Sequence, residues 1–155
     1  MLLSTVTFEI NDSNGRFQKA RAILDTASHV NFITRSCKQR LGLTSTKSPV
    51  TVETLGQSSS VISDDVRCVV TPHGKSTETF DFDAFVVPTI CGNMLESVID
   101  PKTWGHVRNL QLADPTYHLP GKVDLLLSAD VLANILQPGL LVGKIDEPVD
   151  RKSVV

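Results

Sequence analysis

The chain has 155 residues, an apolar share of 41% and a net charge of -2, which bounds it to one domain with a real core and no room for two large lobes. There is no basic stripe for nucleic acid, no acidic block of a disordered tail, and no apolar run long enough for a membrane span; Met1-Leu2-Leu3 lacks the pattern of a signal peptide. Cys37, Cys68 and Cys91 are odd in number, far apart and without zinc spacing to His29, His73, His106 or His118, so they read as thiols in a reducing, cytoplasmic compartment.

Val6, Phe8 and Ile10 alternate with polar residues and predict a half-buried strand. The turn signal Asn11-Asp12-Ser13-Asn14-Gly15 folds the next strand, about Arg16 to Leu24, back as a hairpin. Thr34 can cap a short helix with Ile33, Cys37 and Leu41 on one face and Gly42 at its end. From Pro49 the pattern is β again. Val50 and Val52 lead into Gly56-Gln57-Ser58-Ser59-Ser60, and Val61-Ile62 leads out towards Val66, Cys68 and Val70, a hairpin that is either an ordinary surface feature or a flap over a site. After a turn at Pro72 to Lys75, Phe80, Phe82, Ala84 and Val86 alternate as a strand.

Residues 88–121 read as a loop-rich insertion with one helical turn near Pro101 to Trp104. Regular β structure resumes at Val123 to Leu127. Ser128-Ala129-Asp130 then opens a short helix stopped by Pro138-Gly139, and Leu140 to Val142 forms a last strand. These boundaries give a domain over 1–145 and a charged, flexible tail over 146–155. The fold class is mainly β.

One residue stands apart. The apolar strand Ala22-Ile23-Leu24 delivers Asp25 into Thr26-Ala27-Ser28. A carboxylate carried out of a buried strand is costly to desolvate, so it has either a task or a partner. The small residues after it allow close backbone approach. The plain alternative is an Asp that caps a turn.

Three segments in order carry a resemblance: Arg21 to Ser28; Asn31-Phe32-Ile33-Thr34 with Arg40-Leu41-Gly42-Leu43; and Leu112-Ala113-Asp114-Pro115 followed by Pro120 to Asp130. Over about Ser4 to Gly143 the chain resembles the retropepsin family of aspartic peptidases, and most closely the peptidase domain of Pao/BEL-type retrotransposon polyproteins. The resemblance implies a closed, acid-protease β-barrel and an endopeptidase that processes its own polyprotein. Asp25 would be the catalytic carboxylate and Thr26 would brace it across two copies of the turn. Ala27 and Ser28 would line the cleft, Leu55, Gly56 and Gln57 would lie near the flap tip, and Leu126, Leu127 and Ser128 would pack beneath the active-site loop. It implies no cofactor, no metal, no nucleic acid and no membrane. The partners are a polypeptide substrate and a second copy of the chain, because one triplet supplies one Asp and the chemistry needs two.

The chain departs from that family in four ways. Ala27 and Ser128 stand where glycine is usual, the flap has a single glycine, and no aromatic-containing closing strand follows Gly143. These departures favour a second reading, a catalytically weak or inactive retropepsin-fold module for dimerisation or peptide binding. A third is an unrelated β-barrel binding protein.

Overall fold

Period-two apolar spacing makes most of this chain into strands whose inner faces must be buried together. The computed structural model describes residues 4–53, 59–72, 78–92, 100, 104–107, 109–141, 144 and 150–153. In chain order the elements are β1 (Thr5–Asn11), β2 (Phe17–Leu24), β3 (Asn31–Thr34), α1 (Arg35–Leu41), β4 (Thr46–Glu53), β5 (Ser59–Pro72), β6 (Phe80–Val87), β7 (Leu125–Leu127), α2 (Ala129–Ile135), β8 (Leu136–Leu141) and β9 (Asp150–Ser153). The order β1-β2-β7-β3-β6-β5 closes on itself because β5 also pairs with β1, Phe8–Ile10 facing Val70–Pro72. The expected mainly β class is borne out as a closed six-strand barrel with two short helices. Closure leaves no raw edge among those six strands. β4 lies outside the ring as one arm of a hairpin with β5.

Local chemistry explains the short-range features. The β1–β2 hairpin turns at Asp12, whose Oδ1 accepts the amides of Asn14 and Arg16 at 2.8 and 2.9 Å. The Arg16 amide is the main cause holding the Asp12 carboxyl below its usual range. α1 begins where Thr34 accepts the Cys37 amide on its side chain and stops at Gly42, which is left-handed with φ 65°. A Cβ at Gly42 would lie 2.6 Å from Ser13 Oγ, so glycine serves both the cap and the packing there.

The core fills the barrel with Val6, Phe8, Ile10, Ala20, Ala22, Val66, Cys68, Val70, Phe82, Ala84, Leu125 and Leu127, sealed at one side by Ile33, Cys37 and Leu41. Each of the largest fully buried side chains contributes roughly 1.5–3 kcal/mol by leaving water. β2 differs from its neighbours, being buried without a break from Ala20 to Ile23. Its even positions face the barrel, and its odd positions are covered from outside by residues 113–123. Ile23 packs with Val123 and Ile90. Arg21 Nε meets Asp114 Oδ2 at 3.0 Å, with the two side chains 10% and 1% exposed. Thr5 Oγ1 and the Thr116 amide and hydroxyl also donate to that carboxylate, while Arg21 Nη2 donates to the Thr116 carbonyl at 2.7 Å. The Thr7 amide bonds the Ala113 carbonyl at 2.9 Å. The insertion is therefore docked on the hairpin.

Three expectations change at the C-terminal end and in the insertion. The helical turn expected near Pro101 to Trp104 is a 3₁₀ turn at Gly105–Val107; Pro101 to Thr103 lie outside the described residues. Pro138 and Gly139 do not stop the last helix: α2 ends at Ile135, and both residues sit inside β8, where the register is irregular between Leu136 and Leu140. The charged tail contains β9, antiparallel to β8 in a separate two-stranded sheet. Residues 54–58, where a flap tip is one expectation, and the expected turn at His73 to Lys75 fall outside the described residues.

Removing one partner of the Arg21–Asp114 pair should strand a buried charge. Asp114→Ala is expected to lower the unfolding free energy by about 3–5 kcal/mol, read from urea unfolding. The double change Arg21→Met with Asp114→Leu should recover much of that loss, since it leaves no charge unpaired. Equal losses in the single and double variants would show that the pair's geometry, rather than its charge balance, holds the insertion.

Candidate active site

β2 ends with Leu24 opposite Leu127 in parallel register. The ladder runs one rung further, because the Asp25 amide donates to the Leu127 carbonyl at 2.9 Å. The carboxylate thus leaves the sheet at a fixed place. Asp25 Oδ1 accepts the Ala27 amide at 2.9 Å, the turn an Asp forms when its side chain caps the backbone two residues on. Ser28 Oγ donates to the Val30 carbonyl at 2.7 Å and accepts the Val30 amide at 3.3 Å. Its own carbonyl accepts the Ala129 amide at 3.1 Å, tying the turn to the start of α2.

Asn31 completes the cradle. Its Oδ1 accepts the Ser128 amide at 2.8 Å, and its Nδ2 donates to the Asp83 carbonyl at 3.1 Å. One side chain thereby links β3, β6 and the β7–α2 junction. No role for Asn31 is evident from the sequence alone; the available signal was an amide in a strand segment, a position that residue type rarely takes without a reason.

The structure brings Asp25, Thr26, Ala27 and Ser28 together with Leu126, Leu127 and Ser128. Asp25 is half-buried, whereas Thr26 and Ala27 are exposed, and the Thr26 side chain makes no hydrogen bond among the described residues. Ser128 is 1% exposed and extended, with φ -74° and ψ 171°, and precedes α2 without a side-chain cap bond. Leu55, Gly56 and Gln57 lie outside the described residues. Phe32, Ile62, Val87, Ile90 and Leu126 help to line an open cleft of about 630 Å³; it reaches the turn only through Leu126, the residue before the Leu127 carbonyl that accepts the Asp25 amide. Phe32 and Leu126 are direct partners across β3 and β7.

The cysteines take no part in this arrangement. Cys37 and Cys68 are buried and Cys91 is exposed. Burial pushes the Cys37 and Cys68 thiols up to about 12, and a lesser burial also raises Cys91. Since the thiolate is the reactive form, iodoacetamide at mildly alkaline pH should modify one thiol per native chain, at Cys91, and all three after denaturation. Rapid native labelling of Cys37 or Cys68 would mean that the barrel opens around α1.

The match to known families covers the same parts. A profile described as aspartyl protease matches residues 6–88, from β1 to the end of β6, and so includes the Asp25 turn and both arms of the β4–β5 hairpin. Among curated proteins, no match to this sequence is found. The match spans more than half of the chain, and the closed barrel with its two helices is the retropepsin-like arrangement that the resemblance implied. This chain belongs to the aspartyl protease family.

Proposed function

We propose that the protein is an aspartic endopeptidase of retrotransposon type that works as a C2 homodimer, with Asp25 contributed once by each copy. The observation that carries this reading is the Asp25 turn. The Asp25 backbone amide is held by the Leu127 carbonyl and its carboxylate by the Ala27 amide, at 2.9 Å each, and Leu126, the neighbour of Leu127, lines a cleft of about 630 Å³. The neighbouring Thr26 and Ala27 are left exposed. An exposed threonine hydroxyl without a partner among the described residues suits a contact with a second copy of the turn.

Two carboxylates at close range share one proton, so one acts as base and the other as acid. The ionised carboxylate takes a proton from water as its oxygen attacks the scissile carbonyl carbon. The protonated carboxyl gives its proton to the carbonyl oxygen, leaving a gem-diol. Collapse of the gem-diol breaks the C–N bond, and the amine leaves with a proton returned from the dyad. Asp25→Asn should abolish cleavage of a peptide library with the fold intact by circular dichroism. Retained cleavage would assign the activity to another group. Light scattering over a concentration series, with a peptide-like aspartic protease inhibitor present, should show the dimer; a monomer throughout would remove this mechanism.

The second reading, a weakly active or inactive module for dimerisation or peptide binding, is favoured by the departures from the family pattern, Ala27 and Ser128 among them. If the Ala27 methyl crowds the substrate path, Ala27→Gly should raise the cleavage rate by about tenfold, equivalent to roughly 1.4 kcal/mol of transition-state stabilisation. Unchanged turnover in a protein shown to be dimeric would make Ala27 a tolerated variant.

A further inference from the structure

The inward face of β5 runs Ile62, Asp64, Val66, Cys68, Val70, and the last three are buried in the barrel. Asp64 carries that phase one residue beyond the barrel, where β5 pairs with Lys47 of β4. Asp64 is half-buried and lines the cleft, yet it makes no hydrogen bond or ion pair among the described residues. Its cross-strand neighbour Lys47 is exposed and leaves it unpaired. Arg35, the first residue of α1, lines the same cleft, is exposed and is likewise unpaired. The same lining holds apolar Phe32, Ile62, Ile90 and Leu126 together with Ser63 and Thr89.

We propose that Asp64 and Arg35 determine which peptides the cleft accepts. The substrate segment carries a bulky apolar side chain flanked by one basic and one acidic residue, the basic one meeting Asp64 and the acidic one Arg35. The proposal rests on the peptidase reading of the same site. Its physical warrant is the desolvation already met. An unpaired carboxylate held half out of water on a rigid strand, next to apolar walls, gains more from an incoming ammonium or guanidinium than a fully solvated one would. Two opposite charges on one partly apolar cleft also give it a polarity. A peptide with its charges in the reverse order meets like charges, which is how electrostatic complementarity excludes wrong partners. Neither charge is tied up among the described residues, so neither has to break an ion pair seen there to bind.

The test profiles wild type, Asp64→Asn, Arg35→Gln and the exchange Arg35→Glu with Asp64→Lys against a peptide library varied at each position. Binding of the preferred peptide and its charge-reversed twin is measured in parallel on an Asp25→Asn background, where no cleavage is needed. Wild type should prefer the basic residue at one position and the acidic residue at another, each by about tenfold. Asp64→Asn should lose the basic preference alone and Arg35→Gln the acidic one alone. The exchange should invert both, an outcome that loss of folding cannot imitate. Cleavage without charge preference overturns this proposal and leaves the peptidase reading standing. An uncut library with charge-selective binding does the reverse. Binding indifferent to charge overturns the proposal in either case.

Discussion

Everything in this chain hangs on the double burial of β2. A strand at the surface of a small barrel would normally turn alternate residues to water, but Ala20 to Ile23 are all buried. That is possible because residues 113–123 cover its outer face, anchored by the Arg21–Asp114 pair at 3.0 Å, while β7 pairs beside it in parallel through Ala22–Leu125, Ile23–Leu126 and Leu24–Leu127. Parallel strands need cover on both faces, and here barrel and insertion supply it. The insertion is thus part of the scaffold that holds the strand carrying Asp25. A buried pair of this kind adds little net stability over an apolar substitute, but it dictates where the insertion must sit, because any other docking strands a charge.

That constraint reaches Asp25 through the backbone. The Asp124 amide bonds the Arg21 carbonyl at 2.8 Å, the Thr34 amide bonds the Asp124 carbonyl at 2.9 Å, and the Asp25 amide bonds the Leu127 carbonyl at 2.9 Å. β2, β3 and β7 are stitched at both ends of the short β7, so the turn inherits the rigidity of three strands. Asn31 adds a side-chain stitch at the α2 junction. A half-buried carboxylate needs such support if it is to hold its place while its neighbours Thr26 and Ala27 remain on the surface.

Much of this was legible along the chain where the determinants are local. The strands β1, β5 and β6 follow from alternating apolar residues, the first hairpin from Asn11 to Gly15, and α1 from the Thr34 cap and Gly42. What was not legible is carried by partners far apart. Arg21 and Asp114 are separated by 93 positions, and Asn31 and Ser128 by 97, so no periodicity could join them. Asp25 itself stands out for its setting at the end of an apolar strand, and the resemblance places Leu126 to Ser128 beneath it, whereas the Asn31 contact that holds Ser128 is visible only in the fold. At the C-terminus, Pro138-Gly139 reads locally as a stop. Gly139 adopts φ 142° within β8, a conformation open to glycine in a strand irregularity. Pairing with β9 overrides the local signal.

The two glycine replacements are not equivalent once the geometry is known. At Ser128 the backbone is extended, with φ -74°, a region any residue enters, so glycine's freedom is not required there. Its amide is bonded to Asn31 at 2.8 Å and its carbonyl accepts the Leu132 amide at 3.0 Å, which fixes the junction by main-chain contacts that any side chain would preserve. Serine at this place costs at most the accommodation of one hydroxyl. Ala27 is different: it lies on the exposed side of the turn, where its methyl meets whatever approaches the Asp25 carboxylate. A penalty from that methyl arises only when substrate or a second copy arrives, so it leaves folding alone and acts on turnover or association. Of the two glycine replacements, it is therefore Ala27 that carries the physical burden.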